Sequence, residues 1–488
     1  MFLICKNHDY LFEMENIVRI FFPMEKIVTL EEDLPDTDGM FSTILTKTDG
    51  GADLFAKAVL HNQTATATRF ATDAQLLCAD GEWLMASALC ECLTELTGYK
   101  PPWGLMTGVR PSKLMRSYIE QFGVEKAIDR FVNFLEVSPA KAQLAVSVAE
   151  AEDAVVALSD ENSVSQYASV PFCPSRCSYC SFVSHSVKQA AKLIPDYTAL
   201  LCREITENAR IADELGLQTL SFYIGGGTPT SLTAEQLKEI TDAVKNAIDL
   251  AKVREYTVEA GRPDTITREK LQVLFDAGVT RISVNPQTFN DNVLSLIGRK
   301  HTVADFYSAF NTAREIGFDN INMDLIAGLP GDSPDSFADS IRQAIALDPE
   351  NITVHTLALK RSSELVTEHE WHKAAKDTVQ MLDTASELLT AAGYKPYYMY
   401  RQSKCIGNLE NVGWCKPGKE CIYNVYMMEE VHTVLASGGG AVTKLKDPHS
   451  AKIERIFNFK YPYEYVSRFD ELLARKDRIA SFYGEVRI

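Results

Sequence analysis

Cys173, Cys177 and Cys180 stand at C-x3-C-x2-C spacing directly after the apolar run from Tyr167 to Phe172. A loop this short can aim three thiolates at one inorganic cluster. A [4Fe–4S] cluster held by three cysteines instead of four keeps one iron open to a small chelating ligand. The same thiols with His185 also compose a Cys3His set that tetrahedral zinc would accept. Two features downstream separate these readings. Gly225 to Thr230 reads Gly-Gly-Gly-Thr-Pro-Thr after the apolar stretch Thr219 to Ile224, and Glu259 stands near the end of Tyr256 to Ala260. A zinc knuckle needs neither. A cluster that works with a zwitterionic nucleoside needs both: glycine lets backbone approach closely, and a carboxylate accepts hydrogen bonds from an ammonium or from ribose hydroxyls. S-adenosylmethionine has amino and carboxylate groups that can chelate the open iron.

Further along come Ile282 to Gln287 (Ile-Ser-Val-Asn-Pro-Gln), Arg299, and Met323 to Pro330 (Met-Asp-Leu-Ile-Ala-Gly-Leu-Pro). In this order and spacing the motifs resemble radical S-adenosylmethionine enzymes, and among them the oxygen-independent coproporphyrinogen III dehydrogenase group, to which heme chaperones are related. The resemblance covers residues 167 to 356. Trp103 to Pro111 and Gly407 to Gly413 resemble a longer, N-terminally extended subgroup. The resemblance implies a [4Fe–4S] cluster on Cys173, Cys177 and Cys180. It implies S-adenosylmethionine contacts from Tyr167, Tyr179, Gly226, Gly227, Thr228, Glu259, Gln287, Arg299, Asp324 and Ala358. The implied activity is oxidative decarboxylation of two propionates of coproporphyrinogen III to vinyl groups, giving protoporphyrinogen IX in heme biosynthesis. No side chain is expected as a general base, since the radical is generated on the cofactor. A one-electron donor such as flavodoxin or ferredoxin is the expected partner. Well-matched dehydrogenases carry another cysteine two positions after the third; Phe182 stands there, as an aromatic does in the chaperone branch. Heme binding and transfer, or a heme-opening radical methyltransferase, are therefore the alternatives.

Several residues admit a plainer role. Tyr167 can be a cofactor contact or strand core. The Thr228 hydroxyl can reach the cofactor or cap the next turn. Arg299, beside Lys300 and His301, can be a solvated charge. Asp324 lies in an apolar strand, where aspartate is rare unless paired; ribose hydroxyls or Arg299 are its expected partners. Lys360 and Arg361 follow the sixth strand and suit propionate carboxylates, with Arg262 a weaker candidate. Cys405, Cys415 and Cys421 match no common ferredoxin spacing and are read as ordinary thiols. His355 is read as a structural partner.

The elements that must position these groups alternate. Apolar strands are expected at 167–172, 219–224, 256–260, 281–285, 320–326 and 351–356, with helices at 196–215, 234–250, 267–277, 303–316 and 334–346. Such alternation implies right-handed βαβ crossovers and a parallel sheet. The fold class is α/β, a partial parallel (β/α)6 barrel of radical S-adenosylmethionine type. The motifs fall at strand C-terminal ends, where parallel barrels collect their sites. Residues 1–160 read as an α+β domain, 161–360 as the cluster-bearing barrel, and 361–488 as a C-terminal region covering the substrate cavity. Strands are expected at 41–47 and 54–68 about an Asp49-Gly50-Gly51 turn, and helices at 83–96, 111–121, 124–135 and 139–158. Beyond 360, a helix is expected at 372–391, a strand at 394–399, an irregular stretch to 421 and a helical tail at 454–474. A net charge of −17 argues against nonspecific nucleic-acid binding. No apolar run reaches membrane-spanning length. Eleven cysteines without a signal peptide point to a reducing cytoplasm.

Overall fold

A computed structural model of the chain describes every residue except 31–34, 79, 181–184, 359–367, 403 and 487–488, and side chains also except 368–370. The described residues form two compact units. The smaller comprises Met1–Ala149, Thr356–Asp383 and Met399–Asn411; the larger comprises Glu150–His355, Thr384–Tyr398 and Val412–Ile488.

The larger unit is organised on six strands that follow one another in the sheet: β1 (Ser163–Val170), β2 (Gln218–Gly226), β3 (Glu255–Gly261), β4 (Arg281–Val284), β5 (Ile321–Ala327) and β6 (Asn351–Thr356). Pairing is parallel from β1 through β5, with Ser163 opposite Gln218, Glu255 opposite Ser221 and Ile282 opposite Ile321. These strands are buried along nearly their whole length, as expected of parallel strands covered on both faces. Intervening helices Ile194–Glu214, Ala234–Ala247, Arg268–Asp276, Val303–Ile316 and Pro334–Ala346 complete the βα units. Their starts are chemically fixed: Thr233 and Thr302 form capping boxes with Gln236 and Asp305, and Ser333 accepts the Ser336 amide ahead of Pro334.

The sheet continues past the six strands. Beside β1, Thr433–Ser437 pairs parallel, followed by the antiparallel strands Val442–Lys446 and Ile453–Phe457. Beside β6, Glu410–Cys415 pairs antiparallel, Asn351 facing Cys415. The stretch expected to be irregular up to 421 therefore contains a strand. The tail expected to be helical from 454 begins instead as strand, then forms helices Pro462–Ser467, Phe469–Arg475 and Asp477–Val486.

The smaller unit holds a five-stranded sheet in the order Val28–Leu30, Phe2–Lys6, Met40–Thr48, Gly51–Leu60, Gln63–Thr72. Helix Asp80–Thr97 packs on it, and helix Leu11–Phe21 packs on that helix. Helix Leu11–Phe21 was not expected from the sequence. The strand expected over 54–68 is two strands, broken at His61 and Asn62, both with positive φ. The expected helix at 124–135 is an α-helix to Asp129 followed by a π-helical turn, Arg130–Phe134.

Candidate functional site

The chain leaves β1 at Val170 and runs into the cysteine loop. The glycine turn ending β2 is stitched to this exit: the Gly227 amide donates to the Val170 carbonyl and the Thr228 amide to the Phe172 carbonyl, each at 2.8 Å. A Cβ on Gly227 would lie 2.6 Å from the Phe172 oxygen, and one on Gly225 would lie 3.0 Å from the Glu259 carboxyl. The close approach that glycine permits is thus to the chain's own backbone and to Glu259. Gly226 takes φ +108°, a conformation open to glycine. The Thr228 side chain does not cap the turn that follows; its hydroxyl sits 3.5 Å from Cys173 Sγ.

Two other segments hold the loop. Ser178 donates its amide and hydroxyl to the Ile297 carbonyl at 3.2 and 3.3 Å. Two residues on, Arg299 donates through Nε and Nη2 to the Tyr179 hydroxyl at 3.2 and 2.9 Å, while its buried Nη1 has no hydrogen-bond partner. From the end of β3, Arg262 reaches Ser175 and Cys177.

Glu259, near the C-terminal end of β3, accepts from the Tyr223 hydroxyl at 2.6 Å and from the Gly226 amide. Burial pushes its carboxyl up to about 7; the two hydrogen bonds oppose that shift, and the charge of Asp324 adds to it. Asp324 on β5 accepts from Asn285 Nδ2 at 2.7 Å and Asn322 Nδ2 at 2.8 Å, with His355 Nε2 3.6 Å away. Its protein partners are therefore amides and a histidine, and Arg299 pairs elsewhere. Gln287 extends the β4 edge toward β5: its amide donates to the Asp324 carbonyl, its carbonyl accepts from Ile326, and it holds φ +68°. Such a non-glycine conformation persists only where the surroundings enforce it. Tyr167 stacks on Tyr223 and Tyr423, with ring centroids 6.2 Å apart in each case. Ala358 lies in the smaller unit, bridged to Cys405. Lys360, Arg361 and Phe182 lie outside the described residues.

The structure thus brings Arg299, Gly227 and Thr228 against the loop that carries Tyr179, Gly226 against the end of β1, and Glu259, Gln287 and Asp324 along strand ends β3 to β5. Asn285, Asn322 and Tyr223, which hold the two carboxylates, were not singled out from the sequence. Their positions two residues before or on the strand next to a carboxylate were the available signal.

Residues 167–344 match the Radical SAM superfamily. A Bacillus subtilis protein named oxygen-independent coproporphyrinogen-III oxidase-like protein HemZ is 39% identical over 388 residues, spanning 78% of this chain and 77% of that protein. The chain belongs to this radical SAM family. The heme chaperone HemW of B. subtilis is 39% identical over 197 residues, 40% of this chain and 51% of its own length. The solved structure described as coproporphyrinogen III oxidase (HemN) from Escherichia coli, a radical SAM enzyme, superposes with a TM-score of 0.50 at 26% identity, over 66% of this chain and 72% of that one. The fold is accordingly the radical SAM fold.

Radical SAM proteins use a [4Fe–4S] cluster and S-adenosylmethionine, and the residues here fit both. The three loop cysteines are in no disulfide. Among the described residues no three His, Cys, Asp or Glu side chains converge as ligands of a single metal ion, so the Cys3His arrangement with His185 is not formed. Cluster thiolates bind separate irons and need no such convergence. The unused Arg299 donor and the Glu259 acceptor supply complementary polar groups for a nucleoside amino acid. No helix among the described residues is long and apolar enough to cross a membrane.

Proposed function

We propose that this radical SAM protein carries out the oxygen-independent oxidative decarboxylation of coproporphyrinogen III to protoporphyrinogen IX. The observation that carries this reading is the match to the oxidase-like HemZ, 39% identical over 78% of this chain, whereas the HemW of Haemophilus influenzae, though matched over 76% of its own length, covers 62% of this chain at 32% identity. When bound, cluster and S-adenosylmethionine together supply a carbon radical able to take hydrogen from an unactivated C–H bond. The chain's own part is to hold them: Cys173, Cys177 and Cys180 ligate three irons, and Tyr167, Tyr179, Gly226, Gly227, Thr228, Glu259, Gln287, Arg299, Asp324 and Ala358 contact the cofactor. Lys360 and Arg361 clamp propionates. In this reading residues 1–160 are an α+β domain to which no part in the reaction is assigned, 161–360 carry the cluster, and 361–488 cover the substrate cavity. An external one-electron donor such as flavodoxin or ferredoxin serves the protein in the cytoplasm.

Anaerobic incubation of reconstituted protein with coproporphyrinogen III, S-adenosylmethionine and reductant tests the reading. The expected product has lost two CO2 and four hydrogens by mass, one CO2 and two hydrogens for each vinyl group formed. The second reading is heme binding and transfer, favoured by Phe182 and by the HemW match. Stoichiometric heme binding without decarboxylation, under conditions where S-adenosylmethionine is cleaved, would establish it in place of the first.

A further inference from the structure

We propose that Arg262 positions the cysteine loop and raises the reduction potential of the cluster carried there, with Asp264 aiming and partly neutralising it. This rests on the cluster assignment to Cys173, Cys177 and Cys180. Gly261, the last residue of β3, takes φ +67°, which turns the chain sharply. The Arg262 amide then donates to the Ala260 carbonyl and the Arg262 carbonyl accepts from Thr265 Oγ1, both at 2.8 Å. This bend sends the Arg262 side chain under the loop, where it is only 3% exposed. Every guanidinium nitrogen is used. Nε and Nη2 grip the two Asp264 carboxylate oxygens at 3.0 and 2.9 Å, a bidentate fork. Nη1 donates to the Ser175 carbonyl at 3.0 Å and Oγ at 3.1 Å, and lies 3.8 Å from Cys177 Sγ.

That last contact reaches a proposed cluster ligand. Hydrogen bonds to ligand sulfurs and nearby charge are the protein's means of tuning cluster potential. A cation beside a thiolate favours the more negative, reduced cluster, and burial strengthens the effect. Asp264 opposes it. The two residues should therefore act with opposite sign, although they form one ion pair. A purely structural pair would not behave so: loss of either member would loosen the loop in the same way.

The test uses the full chain, reconstituted anaerobically, as wild type, Arg262→Gln, Arg262→Lys and Asp264→Asn. Iron and sulfide are counted and the cluster is titrated redox-spectroscopically without S-adenosylmethionine. In Arg262→Gln the reduced-to-oxidised ratio at the wild-type midpoint should fall about ten-fold, which is about 59 mV for one electron. Arg262→Lys keeps the charge but not the fork, and should shift less. Asp264→Asn should shift to more positive potential. If Arg262→Gln fails to retain iron, the opposite shifts of Arg262→Lys and Asp264→Asn decide. Wild-type potential in cluster-loaded variants, or shifts of one sign throughout, overturns the proposal. A wild-type chain that takes up no cluster overturns the assignment beneath it, and the iron count distinguishes that failure.

Discussion

Glu259 is held by two donors in a place that resists its charge. Burial lifts its carboxyl to about 7, despite the hydroxyl of Tyr223 and the amide of Gly226. Ionised, it accepts charge-assisted hydrogen bonds from an ammonium or from ribose hydroxyls through both oxygens; protonated, it loses the charge and turns one oxygen into a donor. Affinity for S-adenosylmethionine is therefore expected to be level above about pH 8 and to fall toward about ten-fold per pH unit well below 7, as the ionised fraction does. Tyr223→Phe removes a donor that favours the carboxylate, so the break should move to higher pH. Glu259→Gln should weaken binding and flatten the profile. Anaerobic equilibrium dialysis from pH 6 to 8.5 measures all three, and a Glu259→Gln profile like that of wild type would refute this role. For the ligand-free chain the sign reverses. A carboxyl raised above its unfolded value adds stability that is fully present below about 4.5 and is lost as pH rises through about 7. Glu259 was legible as a carboxylate at a strand end, and Arg299 only through the family resemblance. The partnership of Arg262 with the loop was not, because it depends on the bend at Gly261, which no side-chain pattern reports.

The cysteine loop behaves as an element only because its neighbours fasten it. Gly227→Ala should push a methyl against the Phe172 carbonyl and strain two backbone hydrogen bonds, each worth about 0.5–1.5 kcal/mol. The expected variant keeps its far-UV circular dichroism and loses most of its iron. Gly225→Ala instead crowds the Glu259 carboxyl, so it should keep iron and bind S-adenosylmethionine more weakly. Identical behaviour of the two variants in iron and cofactor assays would contradict this division. Elements with chemical punctuation were the legible ones. Val303–Ile316 and Pro334–Ala346 match their expected bounds because Thr302 with Asp305, and Ser333 with Pro334, mark their starts. Glu410–Cys415 was missed because Gly413 interrupts its pattern. In the fold a Cβ there would lie 1.9 Å from the Tyr398 ring, so that glycine is a packing requirement inside a strand. The His61–Asn62 turn was missed because it is made without glycine. Ile453–Phe457, spaced Ile-Glu-Arg-Ile-Phe, places its isoleucines at helical distance and still pairs as strand.

At the scale of the whole molecule, the larger unit's sheet extends beyond the six parallel strands and is tied down by a buried charge. Glu204, fully buried on helix Ile194–Glu214, accepts from Lys476 Nζ at 2.8 Å, the Tyr465 hydroxyl at 2.7 Å, Asn458 Nδ2 at 2.9 Å and the Gly438 amide at 2.7 Å. Those partners lie on or between the last elements of the chain. Gly438 and Gly439 in turn meet the end of β1: the Tyr197 hydroxyl donates to the Ser169 carbonyl and accepts from the Gly439 amide. The C-terminal helices are thereby coupled to the strand that delivers the cysteine loop. Lys476→Met leaves Glu204 buried without its cation, a change that costs about 3–5 kcal/mol when the partner charge stays in place. Adding Glu204→Gln removes the stranded charge and should recover part of that loss. Urea unfolding of the three proteins, with cluster absorbance followed alongside far-UV ellipticity, measures both. Lys476→Met should lose its cluster and its secondary structure at one lowered midpoint, and the double variant should lie between it and wild type. A double variant no more stable than Lys476→Met would show that the lysine acts through its hydrogen bonds to Asn208 and the Ala436 carbonyl, with the ion pair contributing little.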